Sequence, residues 1–289
     1  VTADTAVLCI KTSNAVILRG GKEAMNSNCA IADALIEGGM KHGLPKDSIQ
    51  LIRTTDRDAI KELVRMEGRV DLAIPRGGEA LIRAVTEQAR VPVIKHYKGV
   101  CHLYVDESAD QEMAMKIAEN AKCQRPGVCN AIEKIIIHEK IAETFLPKMA
   151  ERFRRLKVEL RGDEASRQLV PWIKAATEDD WYAEYLDLIL TVKIVPSARA
   201  AINHINKYGS RHSDAIIAED GAAWKLFVNE VDSAVVYVNA STRFTDGGEF
   251  GMGAEIGIST DKIHARGPMG LEELTTYKYV VQGRGQVRE

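Results

Sequence analysis

The first hundred residues alternate between short apolar runs and longer stretches with helical periodicity. Four apolar runs have the length of buried strands, and they cover 15–18, 49–52, 71–74 and 91–94. Stretches with one apolar stripe, predicted as helices, cover 1–11, 23–41, 56–67 and 79–89. Strands that alternate with helices of this length form a parallel sheet covered on both faces. The pattern therefore predicts an α/β fold for this part of the chain.

From Gly99 the periodicity starts again and predicts a second α/β unit. Its strand-like runs cover 101–105, 133–138, 158–160, 186–195, 215–217 and 234–238. Its helical stretches cover 111–121, 142–156, 198–207 and 221–231. We place the boundary between the units near residues 96–100, and 289 residues leave room for about two domains. A last β-rich run, 275–281, is suited to pairing either within the monomer or across subunits.

The segment 239–270 has hardly any regular pattern. It contains seven glycines, at positions 247, 248, 251, 253, 257, 267 and 270. Loops this long are usually functional or disordered, and apolar residues such as Phe244 and Ile256 argue against disorder. We interpret the segment as an ordered loop lining a site, with polar candidates Arg243, Asp246, Glu255, His264 and Arg266. The alternative is a surface excursion whose charges are solvated.

Composition and charge argue against several classes of function. A hydrophobic fraction of 45% and a charged fraction of 28% are typical of a soluble globular protein. The formal net charge of −2 provides no global field that would attract nucleic acid or an anionic membrane. No run of apolar residues is long enough for a transmembrane helix.

Cysteine and histidine usage predicts a cytoplasmic protein without a metal site. The five cysteines are an odd number without C-x-x-C pairs, which favours a reducing compartment and argues against structural zinc. The seven histidines are dispersed and form no H-x-x-x-H pair.

Two glycine-containing loops, 19–22 and 75–78, each lead a predicted strand into a predicted helix. Such loops offer backbone N–H groups to phosphate at the carboxyl edge of a parallel sheet. Neither loop fits the G-x-G-x-x-G fingerprint, and glycine at such places is often simple turn chemistry. Because each loop also has an arginine beside its glycines, the pair indicates a phosphate-bearing ligand.

The stretch 119–131 holds Cys123 and Cys129 on either side of Pro126-Gly127. We predict that this turn raises Cys129 onto the start of a new helix, where free N–H groups and the helix dipole stabilise a thiolate. Such a cysteine is a candidate nucleophile. The alternative is a small buried residue at a tight turn.

Three stretches resemble the γ-glutamyl phosphate reductase family, also called glutamate-5-semialdehyde dehydrogenases, within the aldehyde dehydrogenase superfamily. They are N-A-K-C-Q-R-P-G-V-C-N-A at 120–131, V-N-A-S-T-R-F-T-D-G-G-E-F-G-M-G-A-E-I-G-I-S-T at 238–260, and H-A-R-G-P-M-G-L-E-E-L-T-T-Y-K-Y at 264–279. The similarity extends over essentially the whole chain.

The resemblance implies an aldehyde-dehydrogenase-like α/β fold with two three-layer domains and a β oligomerisation element. Residues 1–98 would be the carboxyl-terminal part of a Rossmann-like cofactor domain, 99–268 the catalytic thiol domain, and 269–289 a return to the cofactor domain with the oligomerisation strand. The family has a further segment before the point where Val1 stands, so we expect one here. The resemblance also implies a homo-oligomer, either a dimer or a tetramer.

The resemblance further implies NADPH/NADP as the cofactor. Arg19 stands where aldehyde dehydrogenases place a lysine that contacts the cofactor ribose, in the Arg19-Gly20-Gly21-Lys22 loop. Lys22 stands near the position of a glutamate in NAD-preferring relatives, and a cation there favours a 2′-phosphate. The Gly77-Gly78 loop would lie under the pyrophosphate, and Glu184 would hold the nicotinamide ribose.

By the same resemblance, Cys129 is the catalytic thiol, and Cys123 is a bystander. N–H groups at Cys129 and Asn130 would hold the oxyanion, Arg243 or Arg266 the substrate α-carboxylate, and Lys95 or His96 the leaving phosphate. Hydrolytic relatives have a water-activating glutamate where this chain has His96, so the expected chemistry is reduction.

The expected reaction is reduction of L-glutamyl 5-phosphate to L-glutamate 5-semialdehyde through a thioester, the second step of proline biosynthesis from glutamate. Glutamate 5-kinase, which would supply the acyl phosphate, is an expected partner. Two alternatives stay open, namely a related reductase of aspartyl phosphate or an acyl-CoA, and a nucleotide-binding fragment without catalysis.

Overall fold

The fold is α/β, and the computed structural model describes residues 1–263 and 265–288. The helices are α1 (Thr2–Lys11), α2 (Met25–Lys41), α3 (Asp58–Leu63), α4 (Glu79–Gln88), α5 (Gln111–Cys123), α6 (Glu139–Arg155), α7 (Glu164–Leu169), α8 (Glu178–Tyr182), α9 (Ala198–Tyr208) and α10 (Gly221–Glu230). Short 3-10 turns lie at Lys22–Ala24, Thr242–Phe244 and Glu272–Leu274. Within the described residues, no helix is both long and apolar enough to cross a membrane.

A seven-stranded parallel sheet is the centre of the second part of the chain. The strands are β1 (Val16–Leu18), β2 (Ile49–Leu51), β3 (Cys101–Val105), β4 (Ile132–His138), β5 (Glu159–Gly162), β6 (Lys174–Ala175), β7 (Ile189–Val195), β8 (Ser213–Ile217), β9 (Val235–Val238), β10 (Ile258–Ser259) and β11 (Gly267–Pro268). The large sheet has the order β6-β5-β7-β4-β3-β8-β9. The six strands predicted between residues 101 and 238 are thereby confirmed, whereas the two-residue strands β6, β10 and β11 were not predicted.

Burial explains why these strands were readable from the sequence. β3, β4 and β8 are buried at every position, and each contains an uninterrupted apolar run, at 103–105, 135–137 and 215–217, next to buried polar residues. Helices α5 and α6 pack on one face of the sheet around Ile135 and Phe145. Helices α9 and α10 cover the other face around Ile136 and Phe227.

The first hundred residues form less sheet than predicted. β1 and β2 pair in parallel, as expected. The runs 71–74 and 91–94 make only an isolated parallel bridge, Ala73 to Val93, and do not form strands. Proline limits this ladder, because Pro75 ends the first run and Pro92 has no N–H to donate.

The terminal run 275–281 is not a strand in this chain. No element is assigned after Leu274 among the described residues, and Tyr277, Tyr279, Val280 and Val281 are between 73% and 91% exposed. A strand requires a partner backbone, and the described residues provide none, so pairing of this run stays a prediction.

Candidate active site

The turn between α5 and β4 carries Cys129 against the segment that leads into β3. The two backbones meet at Gly99, where a Cβ would lie 1.9 Å from the carbonyl oxygen of Cys129. Only glycine permits this approach. The Cys101 thiol, two residues further, donates to the same Cys129 carbonyl at 3.2 Å.

The predicted helix start at Cys129 is wrong. Residues 124–131 form turns and bends, and the next element is strand β4. There is consequently no helix dipole behind the thiol, because small residues after Pro126-Gly127 lead directly into a fully buried strand. The oxyanion role expected of helix-start N–H groups at Cys129 and Asn130 loses its structural basis.

Asn130 instead holds the glycine-rich segment beside the thiol. Its Nδ2 donates to the carbonyl of Thr245 at 2.9 Å, and its own carbonyl accepts from Thr242 Oγ1 at 2.6 Å. Arg243 donates to Asn130 Oδ1 and, through Nε, to Gln124 Oε1 at 2.7 Å. The side chain of Asn130 is therefore a bridge between the cysteine turn and residues 242–245.

Two histidines lie next to Cys129. One ring nitrogen each of His96 and His212 and the Cys129 sulfur all lie within 4.8 Å of one another. His96 Nδ1 is 3.0 Å from the carbonyl oxygen of Ile258. Because a carbonyl only accepts, Nδ1 carries the proton in the neutral ring and Nε2 has the free lone pair. Burial, together with the charge of Arg76, lowers the pKa of His96, which favours this neutral form.

The protein environment does not pre-activate the Cys129 thiol. Burial, helped by the charges of Glu184 and Glu255, raises the pKa of Cys129 to about 11. The Cys129 N–H and the charge of Arg76 act in the opposite direction but are weaker. The predicted thiolate stabilisation is therefore wrong, since desolvation of the charged form outweighs the local donors.

The two carboxylates near the thiol are each held by a backbone amide. Glu184 Oε1 accepts from the Gly99 N–H at 2.7 Å, and Glu255 Oε2 accepts from the Gly247 N–H at 3.1 Å. Burial is the largest influence on both groups and raises the pKa of each. Glu184 thus ties its segment to Gly99, the residue that contacts the Cys129 backbone.

Buried charges of β4 position the Glu184 segment. Lys122 Nζ lies 2.8 Å from Glu133 Oε2, with both side chains fully buried, and Glu133 Oε1 accepts from the Leu186 N–H at 3.1 Å. Lys134 Nζ donates to the Ala183 carbonyl at 2.7 Å. The strand below the thiol therefore fixes residues 183–186 from both sides.

Four cationic side chains near the site differ in how they are paired: three were predicted to bind substrate, and the fourth is Arg76. Lys95 bonds both oxygens of Asp261, at 3.1 and 3.2 Å, and Arg266 bonds Asp232 at 3.1 Å. Arg243 is held by neutral groups and lies close enough to Cys129 for its pKa to respond to a Cys129 charge. Arg76 packs over Gly257, whose Cβ position is 3.3 Å from Nη1, and within the described chain it has no assigned carboxylate partner. Arg243 and Arg76 are thus the cations available to a ligand at the thiol.

The two predicted phosphate loops line one cavity of about 680 Å³. Arg19, Gly21 and Lys22 come from one loop and Gly78 from the other, while α3 and α4 supply the apolar wall. Gly20 and Gly77, also in the predicted set, flank these residues in the same loops. The volume is in the range of small-molecule sites.

Sequence reasoning omitted His212, Arg76 and Gly99 from the site. His212 lies 83 positions from Cys129, and no motif spacing joins them. Arg76 was noticed only as a neighbour of Gly77-Gly78. The remaining polar candidate His264 lies outside the described residues.

These elements define the class of protein. The Aldehyde dehydrogenase family model matches residues 1–187. The crystal structure of an acetylating aldehyde dehydrogenase from Geobacillus thermoglucosidasius has a TM-score of 0.72 at 18% identity over 99% of this chain and 72% of that one, which shows the shared fold. The fold is that of an aldehyde dehydrogenase, with a parallel central sheet.

Comparison with curated relatives identifies the particular family within the aldehyde dehydrogenases. Gamma-glutamyl phosphate reductase of Geotalea daltonii is 57% identical over all of this chain and 69% of its own length, and that of Aquifex aeolicus is 58% identical over all of this chain and 68% of its own. The crystal structure of gamma-glutamyl phosphate reductase from Thermotoga maritima has a TM-score of 0.98 at 52% identity, covering 100% of this chain and 70% of that one. The chain belongs to the gamma-glutamyl phosphate reductase family.

Proposed function

We propose that this chain reduces L-glutamyl 5-phosphate to L-glutamate 5-semialdehyde and phosphate, the second step of proline biosynthesis from glutamate, with Cys129 as the nucleophile. The observation that carries the proposal is the placement of Cys129 beside His96 and Arg76, which forms no salt bridge among the described residues. The names of relatives that are 57% and 58% identical support the substrate.

The first step transfers the γ-acyl group to sulfur. The Cys129 thiol gives its proton to His96 Nε2, and sulfur bonds to the acyl carbon while the carbon–oxygen bond to phosphate breaks. Arg76 binds the phosphate that leaves, because a guanidinium without a carboxylate partner matches its geometry. His96 then returns the proton to the departing phosphate. Of the earlier candidates for this anion, Lys95 is the weaker because Asp261 already neutralises it.

Arg243 is the better candidate for the substrate α-carboxylate. Arg125 lies close enough to lower the pKa of Arg243, after the larger effect of burial, so two guanidinium groups approach each other there. An anion between them would relieve that repulsion. Arg266 is the weaker candidate, because Asp232 binds it through both a side-chain oxygen and the carbonyl.

The cavity between the two glycine loops fits NADPH. Arg19 and Lys22 supply positive charge for a 2′-phosphate, and Ile60, Val64 and Val85 provide an apolar wall. Gly21 and Gly78 line the cavity and, with the neighbouring Gly77, would bring the backbone close to the pyrophosphate. When bound, NADPH supplies the hydride that reduces the acyl group. Glu184 would accept a hydrogen bond from a ribose hydroxyl through Oε2, because Oε1 already accepts from the Gly99 N–H.

Cofactor preference is tested by a charge reversal. Lys22→Glu is expected to raise the KM for NADP⁺ by about tenfold or more and to leave the KM for NAD⁺ unchanged or lower, since a charge-assisted hydrogen bond is worth about 1.5–3 kcal/mol. Lys41→Glu, on an exposed helix end, is the matched control. An unchanged NADP⁺ to NAD⁺ ratio in Lys22→Glu would show that the 2′-phosphate lies elsewhere.

The nucleophile is tested with phosphate-dependent NADP⁺ reduction by glutamate semialdehyde. Cys129→Ser is expected to lose at least about 10³-fold in rate, while Cys123→Ser keeps wild-type rate. A panel of semialdehydes, with and without coenzyme A, separates the γ-glutamyl substrate from an aspartyl or acyl-CoA substrate. Activity above about 1% in Cys129→Ser contradicts the nucleophile assignment.

We also propose that a second copy of the chain pairs with the exposed 275–281 run, giving a cytoplasmic homo-oligomer. The acyl phosphate is labile, so direct transfer from glutamate 5-kinase is a further expected partnership. Sedimentation tests the role of this run in the oligomer. A Val281→Asp variant should dissociate into monomers, whereas a variant at Met66, which is exposed outside the run, should stay oligomeric.

A further inference from the structure

We propose that His96, Cys129 and His212 form a binding site for one thiophilic divalent cation, of which Zn²⁺ is the type. The Cys129 sulfur and one nitrogen of each ring lie within 4.8 Å of one another. Zn²⁺ binds sulfur at about 2.3 Å and imidazole nitrogen at about 2.0–2.1 Å in tetrahedral sites. Such bond lengths separate the ligand atoms by about 3.5 Å, so a small movement of the half-buried His96 and Cys129 closes the site.

His212 gives the independent evidence for a ligand at this point. Its ring is fully buried, and its Nε2 has no hydrogen-bond partner in the part of the chain described. Buried polar atoms in proteins nearly always have a partner, so an orphaned ring nitrogen beside a thiol requires an explanation. A cation at Nε2 would supply it.

A row of hydroxyl groups supports His212 from behind. His212 Nδ1 is 2.9 Å from Ser213 Oγ, which is 2.7 Å from Thr245 Oγ1, and Thr245 Oγ1 is 2.9 Å from Tyr237 Oη. Each hydroxyl both accepts and donates, so the row can accept the Nδ1–H and leave Nε2 free for a metal. This is the outer support that metal-binding histidines usually have.

In His96, as in His212, a hydrogen bond holds one ring nitrogen and leaves the other free for a metal. Its Nδ1 donates to the Ile258 carbonyl, so the lone pair of a neutral ring is on Nε2. Both imidazoles thus have one nitrogen fixed by a second group and the other available, while Cys129 supplies the sulfur. Two imidazoles and one thiolate are a donor set that selects Zn²⁺ and Co²⁺ over Mg²⁺ or Ca²⁺.

Binding replaces the thiol proton with the cation. The S–H bond breaks, the proton goes to solvent, and a metal–sulfur bond forms without any change of oxidation state. The capped sulfur cannot attack a carbonyl, so the cation inhibits the enzyme reversibly; this consequence alone rests on the proposed function. The binding itself does not depend on which substrate the chain uses.

Cobalt is the probe, because tetrahedral Co²⁺ bound to thiolate has visible d–d bands and a near-ultraviolet charge-transfer band. The whole chain is titrated anaerobically with Co²⁺, and Zn²⁺ is then added to displace it. We expect one equivalent with both sets of bands. Iodoacetamide labelling followed by mass spectrometry should show Zn²⁺ protecting Cys129 but not Cys123, and this measurement needs no variant.

Variants assign the ligands. Cys129→Ala should abolish the charge-transfer band, and His212→Gln should weaken Co²⁺ binding by at least about tenfold, the lower limit seen when only a supporting residue is lost. Cys123→Ala and His42→Gln, matched changes away from the cluster, should bind as the wild type does. If His212→Gln does not fold, His96→Gln on the half-buried ring makes the same test.

The proposal is overturned if the charge-transfer band survives in Cys129→Ala, or if His212→Gln and His96→Gln both bind Co²⁺ with wild-type affinity. It is equally overturned if Zn²⁺ leaves the labelling of Cys129 unchanged. Loss of turnover in the absence of metal would concern the proposed function and would leave these binding results unaffected.

Discussion

Gly99→Ala is the most direct test of how the chain positions its thiol. The added Cβ would lie 1.9 Å from the Cys129 carbonyl oxygen and 2.5 Å from both its carbonyl carbon and Cα, whereas ordinary Cβ contacts begin at 3.4 Å. The atoms it meets are backbone, which cannot rotate away as a side chain can. Relief therefore requires the two segments to separate by about 1 Å or more.

A displacement of this size has a calculable effect on catalysis. Misplacing a reacting group by about 1 Å costs about 10²-fold, so kcat/KM should fall at least about 100-fold, or about 2.7 kcal/mol. The free energy of unfolding should also fall by about 1–3 kcal/mol through overpacking. The separation would disturb the Glu184 hydrogen bond to the Gly99 N–H as well.

The assay is phosphate-dependent NADP⁺ reduction, together with the Cys129 alkylation rate and denaturant unfolding. Gly38→Ala is the matched control, because it lies in α2 with nothing within 4 Å of its Cβ position. That change should leave kcat/KM as it is and raise the free energy of unfolding by about 0.5–1 kcal/mol. Wild-type kcat/KM in Gly99→Ala would refute the close approach as a determinant of the site.

Three further predictions concern charge around the thiol. Because burial raises the pKa of Cys129 to about 11, its iodoacetamide alkylation rate should keep rising above pH 9 and be half-maximal near pH 11; a plateau by pH 9 would contradict this. Glu133→Gln leaves Lys122 buried and unpaired and should cost about 3–5 kcal/mol in urea unfolding, against less than about 1 kcal/mol for the exposed Glu164→Gln. Arg76→Ala should raise the KM for phosphate at least about tenfold without changing the KM for NADP⁺, and an equal rise in both would assign it to the cofactor.

The sequence predicted the fold well where the hydrophobic pattern of a segment matches the burial of that segment in the structure. β4 is buried at every residue and contains the apolar run 135–137, and the glycine-rich 239–270 segment has no competing periodicity. The prediction of strands at 71–74 and 91–94 was wrong, because a short apolar run does not reveal whether its backbone finds a full ladder. The prolines beside them were the available signal.

The site divides in the same way. Cys129, His96, Arg243 and the glycine loops stand in recognisable stretches, and the structure places the loops around one cavity. The proximity of His212 could not be predicted, because β8 reaches the thiol only through the strand order of the large sheet. The predicted helix behind Cys129 failed for a different reason: small residues after a Pro-Gly turn are compatible with either a helix or a strand.

The identity of residue 96 follows from the charges that surround it. Glu184 and Glu255 already oppose ionisation of Cys129, so a third carboxylate at position 96 would raise the pKa of the thiol further. A neutral imidazole accepts the thiol proton and becomes positive next to the new thiolate, which lowers the cost of forming it. We infer that His96 serves this thiol as a base that contributes no resting negative charge. Such a base removes the proton when sulfur attacks and, held by Ile258, does not place a carboxylate where water would be activated.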